Sequence, residues 1–397
     1  MLPTHATTER VPVAHSCPPT AKYLTYLAEV GRALQGKLNA RERKRLEGER
    51  ALLERARFVR VNGLIQHYLD AGPRDGPTLL LIHGWDCSAY WWHHIIDPLA
   101  AAGYRVIAAD LRGHGFSEND AQANYTVAAF SSDLAALADA LGLKRFHLAA
   151  FSLGAFVGLH YAVAQPQRVR SLLFFNFALL QHNAAAERVV PGLLGFMFNR
   201  VLRPIERRNL WWIPFLYTRL VMAQHTPPVS DVRLGTLGLR FCDPAAVRVS
   251  TTELVKRATL DAVPQQAQAL QVPLLLVAGK QDPLMPPQGG RALAELVPQG
   301  RYLEVPKCGH LILFELPARV VLIMKDFLAD SGRNNVPKEQ EHTPMRPSYS
   351  GRSLFFCSLV LLFISRTTYA TTSSLRRADR QRAYGSGRRS DGDGRGA

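Results

Sequence analysis

Serine, aspartate and histidine together can turn a hydroxyl into a nucleophile, and this chain places one of each at the end of an apolar run. Ser152 lies in Ala150-Phe151-Ser152-Leu153-Gly154. The run before it, Arg145 to Phe151, has the apolar character of a buried strand, and after it Phe156, Val157, His160 and Tyr161 fall at helical spacing. That is the strand–turn–helix setting of a G-x-S-x-G nucleophile elbow, with Ala150 in place of the first glycine. Small residues suit such a turn because strand and helix cross closely and the serine backbone is strained. A lone S-x-G is common by chance, so its weight depends on whether the other catalytic parts follow in order.

They do follow. The apolar run Leu274–Ala278 ends in Gly279-Lys280-Gln281-Asp282-Pro283, an acid at a strand end beside a proline, suited to orienting a histidine. The next run leads to Pro306-Lys307-Cys308-Gly309-His310, a histidine behind a flexible glycine. The chemistry needs this trio because a serine hydroxyl is weak until a base takes its proton, and the acid holds the imidazole in the right tautomer. Earlier in the chain, Thr78–Ile82 runs into His83-Gly84-Trp85-Asp86. There the Trp85 N–H is a candidate oxyanion donor, with the Leu153 N–H at a helix start as the second. One such donor is worth about 3 kcal/mol in a transition state. Asp110-Leu111-Arg112-Gly113-His114-Gly115 reads as a structured turn held by an Asp–Arg ion pair, with His114 a local hydrogen-bonder. Asp133 competes as the acid by composition only, since it lies within a helical pattern.

The elements that must position these residues are legible around them. Phe58–Val61 and Leu64–Leu69 alternate about Asn62-Gly63, a hairpin signal. Strands at Thr78–Ile82, Arg105–Ala109, Phe146–Phe151 and Val169–Phe175 alternate with helices at Tyr90–Ala102, Thr126–Leu141 and Leu153–Gln165, the rhythm of a parallel α/β sheet. The rhythm breaks after Asn176 and resumes at Val272, so 177–268 reads as a helical insertion between two strands of one sheet. A helix from Pro287 to Leu296, a strand at Arg301–Val305 and a helix at Leu316–Phe327 complete it. Residues 1–57 read as an extension, disordered and then helical, with an Asn39/Glu42 capping box. The core spans 58–176 and 269–330, and 331–397 is a basic tail without order. Within that tail Leu354–Ile364 is apolar but short of the ~20 residues that span a bilayer. Its flanks resemble a secretory signal in the wrong place, which points to translated sequence outside the fold, with a short membrane anchor as the rival.

Composition narrows the partners. The net charge is +16 over 397 residues, but the excess sits in Arg41–Arg60, Arg200–Arg208 and the tail, none of it attached to a nucleic-acid module, so no nucleic acid is expected. Five scattered cysteines without C-x-x-C spacing argue against a disulfide framework or a zinc site and suit a reducing compartment. With no apolar leader in the first twenty residues or so, the expected location is the cytoplasm.

Five segments together, HGW, DLRGHGFS, AFSLGA, GKQDPLMP and CGHLILFE, resemble the α/β-hydrolase superfamily in its cap-bearing branch, over Phe58–Ala329. The resemblance implies a mostly parallel eight-stranded sheet, a Ser152/Asp282/His310 triad, an oxyanion hole from Trp85 and Leu153, and a helical cap at 177–268. Serine at the elbow separates the chain from similar epoxide hydrolases and haloalkane dehalogenases, which use aspartate there. Asn176 stands where some relatives carry the acid; as an amide it leaves that role to Asp282. The expected activity is hydrolysis of a hydrophobic small molecule, foremost a carboxylic ester, without metal or organic cofactor. The alternatives are a carbon–carbon hydrolase of ring-cleavage products, whose usual S-M-G-G is here Ser152-Leu153-Gly154-Ala155, and a ligand-binding member of the fold. Apolar bulk in the insertion (Leu193, Leu194, Phe196, Met197, Phe198, Trp211, Trp212, Phe215, Leu216, Tyr217) suits cap core, an acyl or aromatic pocket, or contact with an anionic membrane beside Arg200, Arg203, Arg207 and Arg208.

Overall fold

The apolar runs become the strands of one sheet in the computed structural model, which describes residues 17–207, 221–223 and 229–331. Expectations about residues 1–16, Arg208, Trp211 to Tyr217 and the tail from 332 lie outside the described residues. The sheet has eight strands: β1 Ala56–Val61, β2 Leu64–Ala71, β3 Thr78–Ile82, β4 Arg105–Ala109, β5 Phe146–Phe151, β6 Val169–Phe175, β7 Leu274–Gly279 and β8 Gly300–Val305. Their order is β1-β2-β4-β3-β5-β6-β7-β8, antiparallel from β1 through β2 to β4 and parallel from β4 to β8. Asn62 and Gly63 join β1 to β2 with φ of 46° and 83°, the positive pair that a two-residue hairpin of matching twist requires.

Successive residues of the central strands serve opposite faces. Leu80, Ile82, Leu148, Ala150, Leu172 and Phe174 point into one core, while Leu79, Leu81, Ala149, Phe151, Leu173 and Phe175 point into the other. This is why the strands read as continuous apolar runs rather than alternating ones. The first core is closed by α4 (Val127–Ala140) and α5 (Leu153–Ala164). The second is closed by α3 (His93–Ala100), the helix Pro317–Ser331 and α1 (Ala21–Gln35). α1 buries Tyr23, Tyr26 and Val30 there, and the Tyr23 hydroxyl donates to the Leu53 carbonyl at the end of α2 (Ala40–Leu53). The Asn39/Glu42 capping box at the start of α2 is formed in both directions. The helix expected over Tyr90–Ala102 is instead a 3₁₀ turn, Ala89–Trp92, followed by α3. Trp92, at φ −94° and ψ 6°, breaks the α geometry between them while its indole ring is fully buried.

β3 and β5 are neighbours, and the chain leaves β3 toward β4 on one side and β5 toward β6 on the other. Loops diverging from such a switch point open a crevice at the carboxyl ends of the strands. The loop after β3 carries His83–Asp86 and the loop after β5 carries Ser152. Among the described residues no helix is long and apolar enough to cross a membrane.

The turn after β4 corrects one expectation. Arg112 does not pair with Asp110; it forks onto Asp133 and reaches Asp120 at 2.9 Å. Asp133 is thereby spent on a structural ion pair. Asp110, fully buried, accepts from the His67 ring at 2.7 Å and from the N–H groups of Ala89 (2.5 Å) and Phe116 (2.7 Å). Burial would raise its pKa, but the His67 ring and these hydrogen bonds outweigh it and hold the carboxylate below its ordinary value. Replacing Asp110 with Ala strands three buried donors and is expected to cost about 3 kcal/mol or more of unfolding free energy, read from urea melts.

Candidate active site

Ser152 directly follows β5 with φ 52° and ψ −118°, a region that costs a non-glycine residue roughly 1–3 kcal/mol. The strain is held by the Ser152 N–H donating to the Phe175 carbonyl at 3.0 Å and by α5 starting at the next residue. Gly154 is required by contact. A Cβ there would lie 2.6 Å from the His83 carbonyl oxygen and 2.8 Å from that of Ile82. The structure brings the three predicted residues together: His310 Nε2 is 3.2 Å from Ser152 Oγ, and His310 Nδ1 is 2.8 Å from Asp282 Oδ2. All three are buried. The carboxylate accepts only, so Nδ1 carries the proton and Nε2 faces the serine hydroxyl as an acceptor.

Asp282 is held on both oxygens. Oδ1 accepts from the N–H groups of Leu284 (2.8 Å) and Met285 (2.9 Å), and Oδ2 accepts from the Asn176 side-chain amide (2.7 Å). The loop after β3 reaches the same point, since a Cβ on Gly84 would fall 3.2 Å from the Ser152 Cβ. Its His83 is locked as a neutral ring: Nδ1–H donates to the Gly84 carbonyl at 2.7 Å and Nε2 accepts the Leu111 N–H at 3.0 Å, with burial lowering its pKa. His114, buried and pushed down to about 3, donates from Nδ1 to the Arg112 carbonyl and takes no part in the site. Leu153 is the first residue of α5, where a backbone N–H lacks a helical acceptor.

Residues 77–317 match the family model described as alpha/beta hydrolase fold. The chain belongs to that family. It is 31% identical over 272 residues to the "Putative carbamate hydrolase RutD" of Variovorax paradoxus, spanning 68% of this chain and 98% of the relative. Among solved structures it resembles a membrane phospholipase A, described as a bacterial virulence factor (TM-score 0.59, 25% identity, 79% of this chain and 98% of that one). It also resembles a "putative lipase (lip1)" from Acinetobacter baumannii AYE (TM-score 0.62, 20% identity, 82% and 99%), a likeness of fold alone.

Two supporting roles, those of Asn176 and Glu315, were not legible in the sequence. Asn176, with φ 51°, donates from its side-chain amide to both Asp282 and the Gly309 carbonyl (2.8 Å), and so ties the Asp282 loop to the His310 turn. Glu315 accepts from the Gly309 and Ala223 N–H groups, both at 2.9 Å, and so fixes the turn that delivers His310. The only signal for it was a glutamate inside an apolar stretch, Ile312-Leu313-Phe314-Glu315. A cavity of about 280 Å³ is lined by Ser152, His310, Trp85, Phe151, Met285 and Leu311, and by Leu194 and Phe198 of the helical segment between β6 and β7. The Trp85 indole donates to the Val247 carbonyl of that segment at 3.3 Å.

Asp86 also lines this apolar cavity. Its Oδ1 is buried without a partner, and burial pushes its carboxyl from 3.8 up to about 7 despite the Arg203 charge nearby. The folded pKa lies above the unfolded one, so the folded state holds the proton more tightly. The associated stability is complete below pH 4 and lost as pH rises toward 7, on the order of a few kcal/mol. Denaturant titrations across pH 4–8 are expected to show this decline in the native protein and a flatter profile in Asp86→Asn.

Proposed function

We propose that the chain is a serine hydrolase of hydrophobic small-molecule carboxylic esters. The observation that carries this reading is the continuous path Asp282–His310–Ser152, at 2.8 Å and 3.2 Å, on the wall of an apolar cavity. In the proposed mechanism Ser152 Oγ attacks the ester carbonyl while His310 Nε2 takes its proton. The Trp85 and Leu153 N–H groups receive the charge that develops on the carbonyl oxygen. Collapse of the tetrahedral intermediate expels the alcohol, protonated by His310, and leaves an acyl group on Ser152. Water, deprotonated by His310, then releases the acid. Asp282 keeps the Nδ1 proton in place and stabilises the imidazolium. The segment 177–268 acts as a cap, and its Leu194 and Phe198 select apolar acyl or alcohol groups.

Ser152→Ala is expected to lower p-nitrophenyl ester turnover by about three orders of magnitude or more while leaving the fold intact. A fluorophosphonate probe should label the native protein at Ser152 and not the variant. Undiminished turnover in the variant removes the assignment, and absence of labelling together with absence of turnover favours a ligand-binding role. The same assay set should include carbamates, which the name of the Variovorax relative suggests, and vinylogous diketones, the substrates of a carbon–carbon hydrolase.

A lipid-facing ester hydrolase fits the likeness to a membrane phospholipase A. The helix Ala184–Phe196 exposes Val189, Leu193 and Phe196 between the exposed Arg188 and Arg200, a surface suited to shallow insertion into an anionic bilayer. Arg203 is not part of that surface. It is buried and donates to the Leu239 and Cys242 carbonyls at 2.9 and 2.7 Å. Phe196→Ser is expected to reduce cosedimentation with phosphatidylglycerol vesicles severalfold, and equal sedimentation of the two proteins refutes this contact.

A further inference from the structure

We propose that His93, His94 and Asp231 form a binding site for a divalent transition-metal ion of the zinc class, clamping the inserted helical segment to the sheet body. The two histidines open α3, on the body. Asp231 lies in the helix Val229–Gly235, between β6 and β7, 137 residues beyond His94. His93 Nε2 is 3.3 Å from Asp231 Oδ1 and His94 Nε2 is 2.7 Å from Oδ2, and one ligand atom from each residue lies within 4.8 Å of the others. Zinc bonds nitrogen and oxygen at ~2.0–2.2 Å, which separates tetrahedral donors by ~3.3 Å, so these atoms need little movement to close on an ion.

The second observation is the hydrogen bond behind the site. His93 Nδ1 lies 2.7 Å from the Tyr90 carbonyl oxygen. A carbonyl only accepts, so Nδ1 carries a hydrogen, and Nε2 is the ring atom turned to the Asp231 carboxylate. The 3.3 Å between Nε2 and the carboxylate oxygen equals the separation of two donors on one tetrahedral ion, and the cation that joins them is either a proton on the ring or a metal bonded to both. An imidazole whose far nitrogen donates to a backbone carbonyl is also how proteins orient a metal-binding histidine.

Burial suits an ion as well. The Asp231 and His93 side chains are 4% and 8% exposed, while His94 at 37% leaves a path to solvent. The Arg233 guanidinium on the same helix lies 3.9 Å from Glu49. Two imidazoles and a carboxylate match zinc better than magnesium or calcium, which take oxygen ligands. Asp231 and Trp91 both line the cavity, and the Trp91 indole donates to the Gly235 carbonyl at 3.2 Å. An ion here would therefore fix one cavity wall without entering the chemistry at Ser152.

The test uses the full chain without an affinity tag, stripped with dipicolinate, titrated with zinc chloride and analysed for bound metal and thermal midpoint. About one zinc per chain and a raised midpoint are expected. His94→Ala, altering a half-exposed side chain, should keep ester turnover and the metal-free midpoint while weakening zinc binding at least ~10-fold. Asp231→Asn should abolish the zinc-induced rise, and cobalt in the native protein should give the strong visible bands of a tetrahedral site. Failure of the stripped protein to take up zinc overturns the proposal and leaves a proton, held by His93, as the cation between the two groups. Equal zinc uptake by the native protein, His94→Ala and Asp231→Asn overturns it too, by placing the metal elsewhere.

Discussion

The structure depends on one strained residue. Ser152 takes a left-handed backbone conformation so that a strand buried on both faces can turn directly into a helix and still present its hydroxyl at the sheet's edge. That geometry is unfavourable by itself and persists because its surroundings leave no alternative. β5 lies between β3 and β6, the Ser152 N–H is tied to the Phe175 carbonyl, and α5 crosses the β3 loop closely enough that only glycine fits at position 154. Ala150, in place of the usual first glycine, is accommodated as an ordinary strand residue paired with Ile82 and Phe174.

Around this point the buried polar groups form two kinds of environment. Beneath the serine, His83, Asp110, Asn176, Asp282 and Glu315 are tied to backbone groups or to one another, so the loops at the strand ends are rigid before any ligand arrives. Such preorganisation matters because a donor or base misplaced by an ångström loses most of its catalytic value. Asp86 is of the other kind: an acid with an unpartnered oxygen in an apolar cavity, kept neutral up to about pH 7 by desolvation.

The helical segment between β6 and β7 is attached to the body at several separate places. Trp85 donates to Val247, Trp91 to Gly235, and Tyr125 hydrogen-bonds to Asp243, while His93 and His94 meet Asp231. The body's side of these contacts comes mostly from the β3 loop and the start of α3, next to the serine. The cavity wall and the geometry around Ser152 therefore share supports, and a change in one reaches the other.

The sequence by itself determined the strands, their helical partners, the hairpin at Asn62-Gly63 and the order of serine, acid and histidine. These follow from local rules: apolar run length, helical periodicity, the φ that glycine and asparagine permit, and the position of polar residues at strand ends. Tertiary structure alone decided which distant groups meet. Nothing local marks Asp110 for His67 rather than Arg112, Asn176 for Asp282, Glu315 for the His310 turn, or Asp231 for His93 and His94. Those pairs lie on separate elements, and it is the crossing order of the strands, with β3 flanked by β4 and β5, that folds them onto one edge of the sheet. The strained serine was readable as a motif; the shell that sustains its strain exists only once the sheet is assembled.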